Sequence, residues 1–260
     1  MTITLCGFGW DASSSHARGA GLGPAIIRAA LYSDASSPFS LSGVDFRDAI
    51  SAFDFADLPD EAEKAREAIE ARTRAALETG KALSLGGDHS VTFSILRAFR
   101  DRFGPVNILH IDAHTDLYEE FDGDPYSHAS PFARAIEDDC VKSLVQVGLR
   151  SVGPEQRAFG RRHGVVMLGA DEIDDIPFHK LAEPLYVSID LDGLDPAYAP
   201  GVSHPEPGGL STRDVLAILK KLPASPVGAD IVELNPERDV ALATANVAAR
   251  LVKELAALLQ

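Results

Sequence analysis

The sequence predicts an α/β protein of three layers, with helices on both faces of a mainly parallel central sheet. Three observations predict it. Short apolar runs that read as buried strands, at 82–85, 106–111 and 185–189 among others, alternate with longer segments of helical period. Several of these runs end in glycine, aspartate or histidine, as strands do where an open α/β sheet places its chemistry. The chain has 260 residues, 45% of them hydrophobic and 24% charged, an ordinary globular composition. An α/β domain commonly reaches this length without splitting, so residues 1–260 read as one domain.

In chain order, residues 2–8 form an apolar strand that ends at Gly7 and Gly9. A glycine-rich turn at 19–24 leads into a helix over 25–31, with Pro24 at its first position, where a missing N–H costs nothing. Residues 33–42 are a serine-rich loop and 44–46 a short strand. Pro59 and Asp60 open a long helix to about Glu78, which Gly80 ends. Its charged residues, Glu61 to Glu67, make a solvated face. Strand 82–85 and the Gly86-Gly87-Asp88-His89 turn precede a helix over 90–102, with Ser90 as N-cap. After strand 106–111 comes a loop, 117–130, of a length that is usually functional in a compact domain. A helix after Pro131, strand 144–149, helix 155–162, strand 165–168, a helical turn at 177–181 and strand 185–189 follow. Loop 195–209 holds Pro196, Pro200, Pro205 and Pro207 and reads as a stiffened wall. Helix 212–222, strand 227–232 and helix 241–259 close the chain, with no internal repeat, low-complexity segment or linker.

The charge balance removes some functions. A formal net charge of −15 argues against nucleic acid, which selects basic surfaces, and suits a cationic substrate. No apolar stretch approaches the ~20 residues of a membrane helix. The first five residues have neither the basic region nor the cleavage site of a signal peptide. Two cysteines, Cys6 and Cys140, lie apart from the ligand-type motifs, so they read as reduced, buried thiols of a cytoplasmic protein.

The chemistry gathers at Ile108-Leu109-His110-Ile111-Asp112-Ala113-His114-Thr115-Asp116. In a strand, positions i, i+2 and i+4 share a face, so Asp112, His114 and Asp116 converge where this one gives out. His89, after strand 82–85, and Asp190 with Asp192, after strand 185–189, add three more donors at neighbouring strand ends. Carboxylate oxygen and imidazole nitrogen without thiolate suit Mn²⁺, with Fe²⁺, Co²⁺, Ni²⁺ and Zn²⁺ as chemical alternatives. One divalent ion leaves four buried aspartates under-neutralised, whereas two ions roughly 3.5–4 Å apart balance them. Without cations each unpaired buried carboxylate costs several kcal/mol.

These motifs, together with Ser188-Ile189-Asp190-Leu191-Asp192-Gly193-Leu194-Asp195-Pro196, resemble the signatures of the ureohydrolases, the arginases, agmatinases and their relatives. The resemblance covers nearly the whole chain. It is closest to plant-type arginases through Tyr126-Ser127-His128-Ala129-Ser130, Pro200-Gly201-Val202-Ser203-His204, Glu206-Pro207-Gly208-Gly209-Leu210-Ser211 and Glu233-Leu234-Asn235-Pro236-Glu237-Arg238-Asp239. It implies two Mn²⁺ per chain. His89, Asp112, Asp116 and Asp190 would hold one ion and His114, Asp112, Asp190 and Asp192 the other, with Asp112 and Asp190 bridging. It further implies an oligomer, a trimer or hexamer; the Ala, Leu and Val face of the last helix suits packing against the sheet or a neighbour.

Water shared by two divalent cations loses a proton near neutral pH and can attack a guanidinium carbon. The resemblance to plant-type arginases implies a hydrolase that cleaves L-arginine to ornithine and urea through a metal-bridging hydroxide. Asp116 would take the hydroxide's hydrogen bond; the resemblance implies that Glu233, like its family counterpart, pairs with the planar guanidinium, and that His128, the one histidine of loop 117–130, donates or shuttles a proton to the departing amine. Asp230, three residues before Glu233, is a candidate for orienting the ligands. His204 either lines the pocket or caps its loop, where other branches carry a Thr-Gly-Thr-Pro segment. His16, His110, His163 and His179 read as core, surface or turn. Leu117–Phe121 and Leu149–Gly153 lack the polar pattern by which animal-type arginases bind the amino-acid head, so agmatine or a guanidino acid is the alternative substrate. A one-zinc deacetylase of similar architecture would have fewer carboxylates, and a non-catalytic relative would have lost ligands.

Overall fold

The computed structural model describes residues 2–260. Eight strands, β1 (Thr2–Phe8), β2 (Ile50–Asp54), β3 (Gly80–Gly86), β4 (Val106–Ile111), β5 (Val141–Leu149), β6 (Val166–Gly169), β7 (Leu185–Asp190) and β8 (Gly228–Val232), form one sheet. Its order is β2-β1-β3-β8-β7-β4-β5-β6. Every pairing between these eight strands is parallel. Parallel strands need crossovers that cover both faces of the sheet, which is why β4 and β7 are buried throughout.

Eight helices supply that cover: α1 (Gly23–Leu31), α2 (Phe46–Ala49), α3 (Ala62–Thr79), α4 (Val91–Phe103), α5 (Pro131–Glu137), α6 (Pro154–His163), α7 (Thr212–Lys220) and α8 (Ala243–Leu258). On one face α1, α2, α7 and α8 bury Ile27, Phe46, Ile218 and Leu251 against Ile3, Leu83, Leu109 and Val187. On the other, α3 to α6 bury Ile69, Phe99, Phe132 and Phe159 against Phe8, Ile108 and Tyr186. Ile108 and Leu109 go to opposite cores, as the two-residue period of a strand requires. A polar row interrupts the second core: Ser84, Asp230, Ser188, His110 and Gln146 lie side by side in register and are fully buried.

Three local expectations are corrected. The strand expected at 44–46 is a turn: Asp45 makes an isolated bridge to Phe39 and accepts a hydrogen bond from the Arg47 N–H to cap α2. Strand β2 was not foreseen; it is an edge strand, mostly uncovered, so its sequence lacks a strong apolar period. Ser90 precedes α4, but its hydroxyl turns back to Asp88 Oδ1, 2.5 Å away, instead of capping the helix. Asp88 needs that donor because it is wholly buried.

Candidate metal centre

The carboxyl ends of β3, β8, β7 and β4, the four central strands, carry the site. His89 follows β3, Glu233 follows β8, Asp190 ends β7 with Asp192 just beyond, and Asp112, His114 and Asp116 follow β4. All seven side chains are buried except His114, which is about one-quarter exposed. Tight backbone packing brings the loops together. A Cβ on Gly193 would lie 2.8 Å from Asp112 N, and one on Gly87 would lie 1.9 Å from the Trp10 carbonyl oxygen, so both positions require glycine. Asp116 and Glu233 take left-handed backbone conformations, with φ of 51° and 67°. Such strain in non-glycine residues persists where the surroundings over-determine it, typically at functional sites.

The six predicted donors form two adjoining clusters. His89 Nδ1 faces Asp116 Oδ2 at 2.9 Å, Asp190 Oδ2 at 3.2 Å and Asp112 Oδ2 at 3.3 Å. His114 Nδ1 faces Asp192 Oδ2 at 3.1 Å and Asp112 Oδ1 at 3.5 Å. Asp112 therefore turns one oxygen to each cluster. His89 Nδ1 is buried yet makes no hydrogen bond, because it is aimed between the carboxylates and not along any one of them. Its other nitrogen, Nε2, lies 3.1 Å from Ser188 Oγ, and Ser188 donates its only proton to Asp230 Oδ1 at 2.6 Å. Nε2 must then be the donor, which leaves the Nδ1 lone pair for a cation. The donor set fits divalent metal. Asp230 also accepts from Thr92 and Tyr186, so it anchors the far end of this chain of bonds.

Without cations the site holds protons instead. Burial, with help from Asp112, takes the Asp192 carboxyl up to about 7 and pushes Asp190 well above the usual carboxylate range. Burial also opposes charge on the imidazoles, but the carboxylates win: His89 stands well above its ordinary value and His114 at about 12. Metal must displace these protons. Manganese affinity is therefore expected to fall as pH drops through about 7, where Asp192 takes up its proton. Calorimetry in buffers of different ionisation enthalpy should record proton release on binding.

A cavity of about 530 Å³ opens onto the cluster, lined by His114, Asp116, Asp190 and Asp192 and, on its other walls, by His128, His204, Glu206 and Glu233. Glu233 Oε1 accepts the His89 N–H at 2.9 Å, while Oε2 is buried with no partner. Burial would raise its pKa, but His128 and that N–H outweigh burial and keep it low, so it is ionised at neutral pH. His128 Nδ1 is 3.6 Å from Glu233 Oε1, and its Nε2 is 2.9 Å from Ser15 Oγ. Burial disfavours its charge, yet Glu233 lifts it to about 9. His204 lines the cavity and stacks on His128, with ring centroids 5.0 Å apart, which decides between the two readings of that residue.

Sequence reasoning missed several participants. Glu206 and Ser15 reach the cavity from distant loops. Arg150 forks onto the carbonyl oxygens of Asp192 (2.6 Å), Leu194 (3.1 Å) and Glu206 (2.6 Å), tying the ligand loop to the proline-rich wall. His110, expected to be an inert core, surface or turn residue, lies 2.8 Å from Asp112 Oδ2. Its place two residues before Asp112 on one strand face was the available signal.

An all-parallel α/β sheet with a carboxylate–imidazole cluster at its carboxyl edge accords with a metal-dependent enzyme, and the family match makes it a hydrolase acting on guanidino C–N bonds. The chain belongs to the arginase family, whose model matches residues 1–257. It is 41% identical over 275 aligned positions to mitochondrial arginase 1 of Arabidopsis thaliana, covering 98% of this chain and 80% of that protein. The structure of arginase from Medicago truncatula superposes with a TM-score of 0.92 at 38% identity, covering 98% and 86% of the two chains. Proclavaminate amidinohydrolase of Streptomyces clavuligerus is 33% identical over 254 positions, 91% of this chain and 81% of that one. These relatives overturn the cytoplasmic expectation: the Arabidopsis enzyme is named mitochondrial and a second arginase of that plant chloroplastic/mitochondrial. Cys6 and Cys140 are buried, with thiol pKa values raised to about 12 mainly by burial, so their packing keeps them inert and carries no information on compartment. No helix among the described residues is long and apolar enough to cross a membrane.

Proposed function

We propose that the protein is an arginase that holds two Mn²⁺ and hydrolyses L-arginine to ornithine and urea. The observation that carries this reading is Glu233 Oε2, an ionised, buried carboxylate oxygen with no partner on the wall of the cavity beside the cluster. A cation is what such an oxygen calls for, and the planar guanidinium fork matches a carboxylate's geometry. His89, Asp112, Asp116 and Asp190 would take one ion and His114, Asp112, Asp190 and Asp192 the other, an assignment supported by the two faces that Asp112 presents. When bound, the ions supply acidified water as nucleophile and neutralise the aspartates.

The rest is work for the chain's own side chains. Glu233, its Oε1 fixed by the His89 N–H, orients the guanidinium carbon. Asp116 accepts a hydrogen bond from the attacking water. His128 gives a proton to the departing amine and, standing at about 9, is charged at neutral pH. Residues 1–260 act as one catalytic unit, and exposed Leu41 and Tyr198 offer apolar surface for assembly into a trimer or hexamer.

Two predictions follow from these roles. With Mn²⁺ loaded, urea is released from arginine in preference to agmatine and 4-guanidinobutyrate; preference for either of the latter makes the protein an agmatinase or guanidino-acid hydrolase. His128→Asn lowers kcat by roughly 10²–10⁴. Because the charged form of His128 is lost as pH rises through about 9, the alkaline limb of the wild-type profile disappears in that variant.

A further inference from the structure

Beneath the metal centre, His110 and Gln146 are fully buried neighbours on β4 and β5. Gln146 Nε2 lies 2.6 Å from the Thr115 carbonyl oxygen and 3.0 Å from His110 Nδ1. His110 Nε2 lies 2.8 Å from Asp112 Oδ2. These contacts determine where each proton sits. A carbonyl oxygen only accepts, so the glutamine atom facing Thr115 must be the NH₂ nitrogen. Its second N–H then runs to His110 Nδ1, which accepts. A neutral imidazole that accepts at Nδ1 carries its proton on Nε2, and that proton is aimed at Asp112.

We propose that Gln146 and His110 are positioning residues, a two-member donor chain that locks the Asp112 carboxylate with one oxygen toward each half of the metal centre. The proposal rests on the two-ion reading above. His110, His89 and Asp112 are close enough to be taken for a ligand triad. The proton on Nε2 argues against that role for His110, because the atom nearest the centre then has no free lone pair. The ring packs against Phe132, whose centroid lies 4.2 Å away, and the Gln146 contact at Nδ1 holds its other nitrogen away from the centre. A donor at Asp112 Oδ2 helps to orient the carboxylate without taking up Oδ1.

The experiment has two arms. In the full-length, metal-free chain, long-range ¹H–¹⁵N correlation of the histidine rings is expected to find His110 as the neutral Nε2–H tautomer, and to find it unchanged after loading with diamagnetic Zn²⁺. Mn²⁺ titration against a competing chelator is expected to show that His110→Phe, which keeps the packing on Phe132, and Gln146→Leu each weaken at least one ion by about 10- to 100-fold. An Nδ1–H tautomer, loss of the Nε2 proton on loading, or folded variants that bind two Mn²⁺ with wild-type affinity would each overturn the proposal. If a variant fails to fold, the wild-type tautomer decides by itself. A wild-type chain that binds one Mn²⁺ while His110 keeps its Nε2 proton sinks the two-ion reading and supports the donor chain, so the two failures are told apart.

Discussion

Removing metal with a chelator is expected to abolish urea release and lower the thermal midpoint together, and Mn²⁺ is expected to restore both. The reason is charge. Asp112, Asp116, Asp190 and Asp192 are all nearly inaccessible to water and crowd two imidazoles. Burying like charges is costly without cations, and the shifted pKa values of Asp190 and Asp192 record that cost. An ion present at 100 times its dissociation constant stabilises the fold by about 2.7 kcal/mol. At about 2–4 °C per kcal/mol for a chain near this size, that is roughly 5–10 °C for each ion. Calorimetric scans at graded Mn²⁺, beside elemental analysis, test it. Loss of activity on chelation with no shift in midpoint would mean that metal is peripheral to the fold, and urea release from a metal-free chain would remove the mechanism.

Glu233→Gln is the second large effect. The amide keeps the size of the side chain and an oxygen to accept the His89 N–H. What changes is the other end: Oε2, now a buried acceptor without a partner on a residue that lines the cavity, becomes an NH₂ group set against the cationic guanidinium. Leaving one partner of a buried, hydrogen-bonded charge pair unmatched costs about 2–5 kcal/mol, so kcat/KM should fall by roughly 30- to several-thousand-fold. Metal content should stay at the wild-type level, which separates a substrate contact from a ligand. The effect should also depend on the substrate's charge. A neutral amidine analogue should lose less than arginine does, and equal losses for both would assign Glu233 to the metal centre instead.

Much of the architecture was legible before the fold was known, for identifiable reasons. β3, β4 and β7 are covered on both faces, so each appears in the chain as a mainly apolar run, interrupted by single polar residues, that ends at a polar motif. β2 was invisible because an edge strand half open to solvent has no such run. The convergence of the candidate donors was legible because a strand points alternate residues to one face and the motifs repeat at three strand ends. His110 was not, although it obeys the same alternation, because its role depends on Gln146, which register alone brings beside it.

From the sequence by itself came the donor types, their number, the strand ends that carry them and the family they resemble. These rest on local chemistry and a two-residue period, which need no knowledge of distant neighbours. Only the tertiary structure decided that β3, β8, β7 and β4 lie side by side, that Asp112 faces both clusters, that Arg150 ties the ligand loop to the proline-rich wall, and that His204 stacks on His128. Those facts depend on which strands pair and which rotamers the packed interior allows. Such choices are made by contacts between residues up to a hundred or more positions apart, as between His89 and Glu233, and no local pattern encodes them.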